Sequence, residues 1–272
     1  MSARILHVSD LHAGIRDNPD VEAAVAALVE RVQPELVVAS GDLSHRGRRA
    51  QLERAHRFLV SLGPPVLAVP GNHDLPHAFP ARFVHPWAEF ERLWETVEPT
   101  YASPSLHVVG LNSARPYRHQ SGALGADQLR LAAARLREAA DGAYRVVVLH
   151  HHLLGAPWRA ARKRPLARRS EVLRVLASAG ADLILGGHIH QAALGERNEF
   201  EVVDADARAT VVSVAPGFGQ PRPNRVGEAR GLHVYEIGDG ALTALTYLWD
   251  GGDLALGARR TFPRGRGPLA AD

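Results

Sequence analysis

The chain has 272 residues, no cysteine and a formal net charge of only +3. Those values exclude disulfides and thiolate metal sites, and they argue against a nucleic-acid coat. No window approaches the roughly 18 apolar residues of a helical membrane span, and "MSARILHVSDLH" lacks the pattern of a signal peptide. The expectation is therefore a cytoplasmic globular protein, whose 46% hydrophobic content suffices for a real core.

In chain order, short apolar runs alternate with amphipathic ones. Strands are predicted at 4–10, 35–40, 65–70, 106–113, 143–150 and 181–187. Helices are predicted at 19–33, 48–63, 88–97, 125–140 and 168–180. After residue 187 strands dominate, at "FEVVDA", "ATVVSVA", "GLHVYEI" and "ALTALTYL". The alternating part implies strands buried on both faces, and the later part a largely antiparallel sheet. The predicted fold is α/β: a four-layer αββα sandwich of two mixed sheets flanked by helices. One domain is expected over 1–257. Residues 258–272, rich in Gly, Pro and Arg, are expected to form a flexible basic tail.

The residues just after the strands carry the chemistry. Strand one ends in Asp10 and His12, strand two in Asp42, and strand three in Asn72, His73 and Asp74. The strand near 148 ends in His150, His151 and His152, and that near 185 in His188 and His190. In α/β sheets, ligands bind beyond the carboxyl ends of strands. Asp, Asn and neutral imidazole suit Mn, Fe, Co, Ni or Zn. Seven or eight such ligands exceed the needs of one ion and match two ions about 3.5–4 Å apart sharing a carboxylate. Asp-x-His and His-x-His place both side chains on one side of an extended segment. Gly41, Gly71, Gly186 and Gly187 are expected to let the backbone bend beside the ions. Any one of these features alone is an ordinary turn or a solvated histidine; all of them in order are not.

The ordered set "DLH", "GD", "GNHD", "LHH" and "GHIH" resembles the calcineurin-like metallophosphoesterase superfamily, and the surrounding wording is similar to its bacterial class III cyclic-nucleotide phosphodiesterase branch. The resemblance implies that Asp10, His12, Asp42 and His190 hold a first metal. It implies a second held by Asp42, Asn72, His150 and His188, with Mn or Fe favoured over Zn, Co or Ni. It casts His73 as the residue facing the phosphate and Asp74 as the group orienting its other ring nitrogen. The sequence departs from the branch at "HHHLL", where His-His-Pro-Pro is usual, so His151 stands as a rival to His150. The activity implied is hydrolysis of a small phosphodiester, a cyclic nucleotide among the candidates, through a metal-bridging hydroxide. Alternatives are a nuclease, a phospholipid-headgroup phosphoesterase and, less favoured, a non-catalytic scaffold; nucleic acid is not the favoured partner.

Of the other histidines, His7 is expected in the core, and His45 and His56 in solvent. His77 and His85 are candidates for the pocket lining, as is Asn112. The loop 157–170, with Arg159, Arg162, Lys163, Arg164, Arg168 and Arg169, is read either as a solvated connection or as a basic rim attracting phosphate.

Overall fold

The computed structural model describes residues 2–15, 17–77, 79–118, 120–154, 163–201, 203, 209–219, 230–238 and 240–264. The first unit is β1 (Ala3–Val8), α1 (Pro19–Val32), β2 (Leu36–Ala39), α2 (Arg49–Ser61) and β3 (Val66–Ala68). Two short helices follow, α3 (Ala81–Val84) and α4 (Ala88–Trp94). The second unit is β4 (Thr100–Ala102), β5 (Leu106–Gly110), α5 (Ala126–Arg137), β6 (Tyr144–Val148), α6 (Arg169–Ser178) and β7 (Leu183–Gly186). Then come β8 (Ala193–Glu196), β9 (Val211–Val214), β10 (Gly231–Gly238), β11 (Ala241–Trp249) and β12 (Leu254–Pro263).

Two six-stranded mixed sheets result, ordered β12-β11-β10-β1-β2-β3 and β4-β5-β6-β7-β9-β8. Strand alternation makes the layers. Leu6, Val8, Val37 and Ala39 face α1 and α2, while Ile5, Leu36 and Val38 face the other sheet. In the second sheet Val108, Val146 and Leu183 meet that same central layer, and Val109, Val147 and Ile184 pack against α5 and α6. The four-layer prediction stands. Helix α1 shows how sequence builds an outer layer. Asn18 caps it by accepting the Asp20 N–H, Pro19 fixes its first turn, and Val21, Ala24, Val25, Leu28 and Val29 form its buried stripe.

The C-terminal part differs from expectation. The described residues of 200–205 (Phe200, Glu201 and Val203) lie outside any strand, and the strand in that region is β8. The late strands do not form a sheet of their own. β9 joins β7 in parallel, and β10 to β12 extend the first sheet antiparallel from β1. Residues 258–263, assigned from sequence to a flexible tail, complete β12. Pairing along β11 supplies the backbone partners that composition does not reveal. Residues 265–272 lie outside the described set.

Candidate metal centre

The parallel strands end together, and their last turns are hydrogen-bonded to one another. The Asp10 N–H donates to the Gly41 carbonyl (2.9 Å), the His12 N–H to the Asp42 carbonyl (2.9 Å), and the Gly187 N–H to the His150 carbonyl (2.9 Å). Asp10, His12, Asp42, His188 and His190 all have positive φ, from 48° to 74°. Backbone of that kind is costly for non-glycine residues and gathers at functional sites. It also replaces the extended geometry expected of Asp-x-His and His-x-His. β1 ends at Val8 and β7 at Gly186, so both pairs sit in left-handed turns. Gly71 and Gly187 are needed for space: a Cβ on Gly71 would fall on the Asp42 carboxylate, and one on Gly187 on the Ser9 hydroxyl.

Two groups of side chains form at this edge. In one, His190 Nε2 lies 3.0 Å from Asp10 Oδ1 and 3.2 Å from His12 Nε2. In the other, His150 Nε2 lies 3.3 Å from Asp42 Oδ2 and 3.2 Å from His188 Nδ1. The Asp10, His12, His190 set and the Asp42, His150, His188 set each present ligand atoms close enough for one metal ion. Asp42 Oδ2 is also 3.8 Å from His12 Nε2, which places this oxygen between the groups. His188 and His190 therefore serve different groups.

The carboxylates divide their oxygens. Asp10 Oδ2 accepts the Ser9 hydroxyl (2.7 Å) and the His188 N–H (2.9 Å), whereas Oδ1 is buried without a hydrogen-bond partner. Asp42 Oδ1 accepts the His73 N–H (2.8 Å), whereas Oδ2 has no well-aligned hydrogen bond and faces His150 Nε2 at 3.3 Å. Asn72 Oδ1 is a third buried acceptor without a donor. Such atoms cost on the order of 1–3 kcal/mol each unless something completes them. Oxygen and imidazole nitrogen converging on one place are the donors a divalent transition ion takes. The residues present fit such ions.

The protonation states agree. Burial works against the carboxylate of Asp10, but His190 and His150 outweigh it and hold the group below the usual range. Burial opposes Asp42 too, yet His150, His73 and His12 keep it ionised. Desolvation holds His12 and His188 well below the ordinary imidazole value, so both are neutral. His150 also loses by burial, but Asp42, Asp10 and the Ser40 carbonyl raise it to about 9. A proton thus sits where a cation is favoured, and metal binding would displace it. His150 Nδ1 meets the Ser40 carbonyl at 2.8 Å; a carbonyl only accepts, so Nδ1 carries hydrogen and Nε2 faces Asp42.

His151 turns towards Ser113, with Nδ1 2.9 Å from the hydroxyl. His73 is half-buried at the edge, and its Nδ1 lies 2.8 Å from the His45 carbonyl. Asp74 was expected to orient that nitrogen, and the structure corrects this. Its carboxylate points inward and accepts N–H groups of Leu43 (3.2 Å), Ser44 (2.7 Å) and Gly71 (2.9 Å) and the Ser44 hydroxyl (2.9 Å). Burial, then the Asp42 charge, pushes Asp74 up to about 6 against those donors. Asp74 therefore ties together the turns that carry Asp42 and His73. Asn112 uses its side-chain oxygen on the Ala114 N–H (3.0 Å), within its own turn. His56 packs edge-on against Trp94, away from the site.

Arg159 and Arg162 of the proposed basic rim lie outside the described residues. Lys163 reaches the site by donating from Nζ to the His188 carbonyl, whereas Arg168 bonds Glu171 and the Leu124 carbonyl. Sequence reasoning missed His45. The pattern places it in solvent, but its ring stacks on His73 with centroids 5.3 Å apart. Its place three residues after Asp42 in "GDLSH" was the available signal.

The sequence model described as calcineurin-like phosphoesterase matches residues 3–192, which hold every residue of both groups. The chain belongs to that family. As a calcineurin-like phosphoesterase it is a metal-dependent hydrolase of a dinuclear class. It is 32% identical over 211 residues to a probable cyclic nucleotide phosphodiesterase of Synechococcus sp., covering 71% of this chain and 75% of that one. It is 26% identical over 221 residues to a 3′,5′-cyclic adenosine monophosphate phosphodiesterase of Haemophilus influenzae, covering 75% and 76%. Among solved structures, the purple acid phosphatase of yellow lupin seeds superposes with a TM-score of 0.70 at 12% identity. It covers 98% of this chain and 54% of that one, a likeness of fold alone.

Proposed function

We propose that this phosphoesterase hydrolyses cyclic nucleotides, with Asp10, His12, Asp42 and His190 holding one ion and Asp42, Asn72, His150 and His188 the other. The observation that carries the ion assignment is the divided use of each carboxylate. One oxygen is fixed by local donors, and the other is buried without a well-aligned hydrogen bond and faces imidazole nitrogens. Bound there, two divalent ions would polarise the phosphoryl oxygens and lower the pKa of a water; the donor set suits Mn, Fe, Co, Ni or Zn, and the family resemblance favours Mn or Fe.

The chain's own residues do the rest. The Ser9 hydroxyl and the His188 N–H hold Asp10, and the His73 N–H holds Asp42, so neither carboxylate swings away. The Gly71 and Gly187 backbones approach Asp42 and Ser9 too closely to leave room for a side chain. His73 donates from Nδ1 to the His45 carbonyl, which leaves Nε2 as the nitrogen that takes or gives a proton. From the half-exposed edge, Nε2–H protonates the departing ester oxygen as the phosphorus–oxygen bond breaks. Asp74 keeps the turn, and hence His73, in register.

The two curated relatives named for cyclic nucleotides support the substrate class. The test is a panel with manganese-loaded protein: 3′,5′-cyclic AMP, a glycerophosphodiester, a simple phosphomonoester and single-stranded DNA. The expected result is the highest kcat/KM on the cyclic nucleotide. A higher value on the monoester or on DNA, or no hydrolysis with Mn, Fe or Zn, contradicts the proposal.

A further inference from the structure

The side chains of the two ion groups are buried, so a substrate cannot reach the ions from beneath. At the rim, His45 and His73 are the imidazoles in ring contact with this cluster that stay partly open to solvent. His73 stands edge-on to His12 with centroids 4.7 Å apart. His45 stacks on His73 at 28°, and its centroid is 5.8 Å from that of His12. One nitrogen from each of these three rings lies within 4.8 Å of the others, so they surround a single spot beside the first ion group. His45 Nδ1 and His12 Nδ1 are both buried with no hydrogen-bond partner.

A polar group placed at that spot would find imidazole nitrogens as partners. A third cation fits poorly: the three rings include no carboxylate, and two dications would lie next to it. His73 already gives one nitrogen to the His45 carbonyl, and His12 directs Nε2 at Asp10 and Asp42. An anionic oxygen fits well, because N–H groups from neighbouring rings make charge-assisted bonds to it. A phosphodiester on the ions brings such oxygens to this edge.

We propose that His45 is a substrate-binding residue whose imidazole N–H donates to a non-bridging phosphoryl oxygen beside His73. The proposal rests on the reading of the site as a two-ion phosphodiesterase. His45 then has two separable parts. Its carbonyl positions His73, and its ring holds the phosphate. Because it shares the "GDLSH" turn with Asp42, that contact is fixed relative to the carboxylate between the ions.

Side-chain replacement separates the two parts, since every variant keeps the carbonyl. His45→Ala and His45→Gln would be compared with wild type, all loaded with manganese. Bound metal is measured by elemental analysis and orthophosphate affinity by calorimetry. KM and kcat are measured on the best diester of the panel. Metal content should be unchanged and orthophosphate affinity about 10-fold or more weaker, the size of a lost bond to a charged group. KM should rise by a similar factor while kcat changes only a few-fold. Orthophosphate affinity within about twofold of wild type in both variants would overturn the assignment. Loss of metal would overturn it by making the ring a cation ligand. A collapse in kcat with phosphate affinity intact would reduce the ring to a positioning group for His73. Orthophosphate binding needs no turnover, so a wild-type protein inactive on every diester would sink the functional reading and leave this test standing.

Discussion

Asp10, Asp42 and His150 are 0% exposed and His12 only 4%, whereas His45 and His73, in ring contact with the same cluster, keep part of their surface in solvent. Both regions are rich in imidazole. They differ in how their unpaired atoms are arranged. In the floor, carboxylate oxygens and imidazole nitrogens converge within 3.0–3.3 Å of one another. In the rim, ring nitrogens face one another with no carboxylate. The floor suits cations and the rim suits an anion, and the His73 N–H to Asp42 bond joins the two. Residue type alone does not separate the two regions; burial and the partner set do.

Breaking the floor has the largest expected effect. Asp42→Ala removes the oxygen placed between the groups, so activity should fall by at least roughly 10²–10³-fold, the loss typical of one removed electrostatic stabiliser. Retention of more than a tenth of wild-type kcat/KM would show that Asp42 is not shared. Breaking the rim should be chemically selective. His73→Ala should keep its metal and lose about 10²–10⁴-fold on an alkyl or ribosyl diester, the usual contribution of a general acid. On bis-(nitrophenyl) phosphate, whose leaving group needs no proton, the loss should be much smaller. Equal losses would assign His73 to phosphate binding instead.

A smaller effect separates adjacent histidines. His150→Ala should lower bound metal towards one ion per chain, and His151→Ala should leave it unchanged, because His151 turns to Ser113. The reverse pattern, measured by elemental analysis, would shift the ligand by one residue. Least affected is the scaffold between floor and rim. Asp74→Asn would set an amide NH₂ against N–H donors and should destabilise the fold by about 1–3 kcal/mol. That lowers the melting temperature at roughly 2–4 °C per kcal/mol. An unchanged melting temperature with kinetics like those of His73→Ala would return Asp74 to the role of orienting His73.

Much of the floor was legible because each buried parallel strand is a short apolar run that stops at its polar residue. Asp10, Asp42, Asn72, His150 and His188 all stand where such a run ends. Their division into two groups came from family resemblance, not from spacing, and the left-handed turns that produce it were not visible in the pattern. β12 was missed because most of its residues are exposed, so no period-two signal survives, and its order comes from pairing with β11. β8 gave way in the reading to the more apolar "FEVVDA". Asp74 and His45 show a different limit. A sequence displays a carboxylate beside a histidine, but not which backbone groups the carboxylate meets, nor that a ring three residues beyond Asp42 folds back over His73.

Each of these expectations about activity and metal content depends on two ions in the buried floor. Their number is read from the metal content of wild-type protein, stripped with chelator, reconstituted with excess manganese or iron and freed of unbound ion before elemental analysis. Two ions per chain are predicted; one or none in fully reconstituted, folded protein would contradict the account.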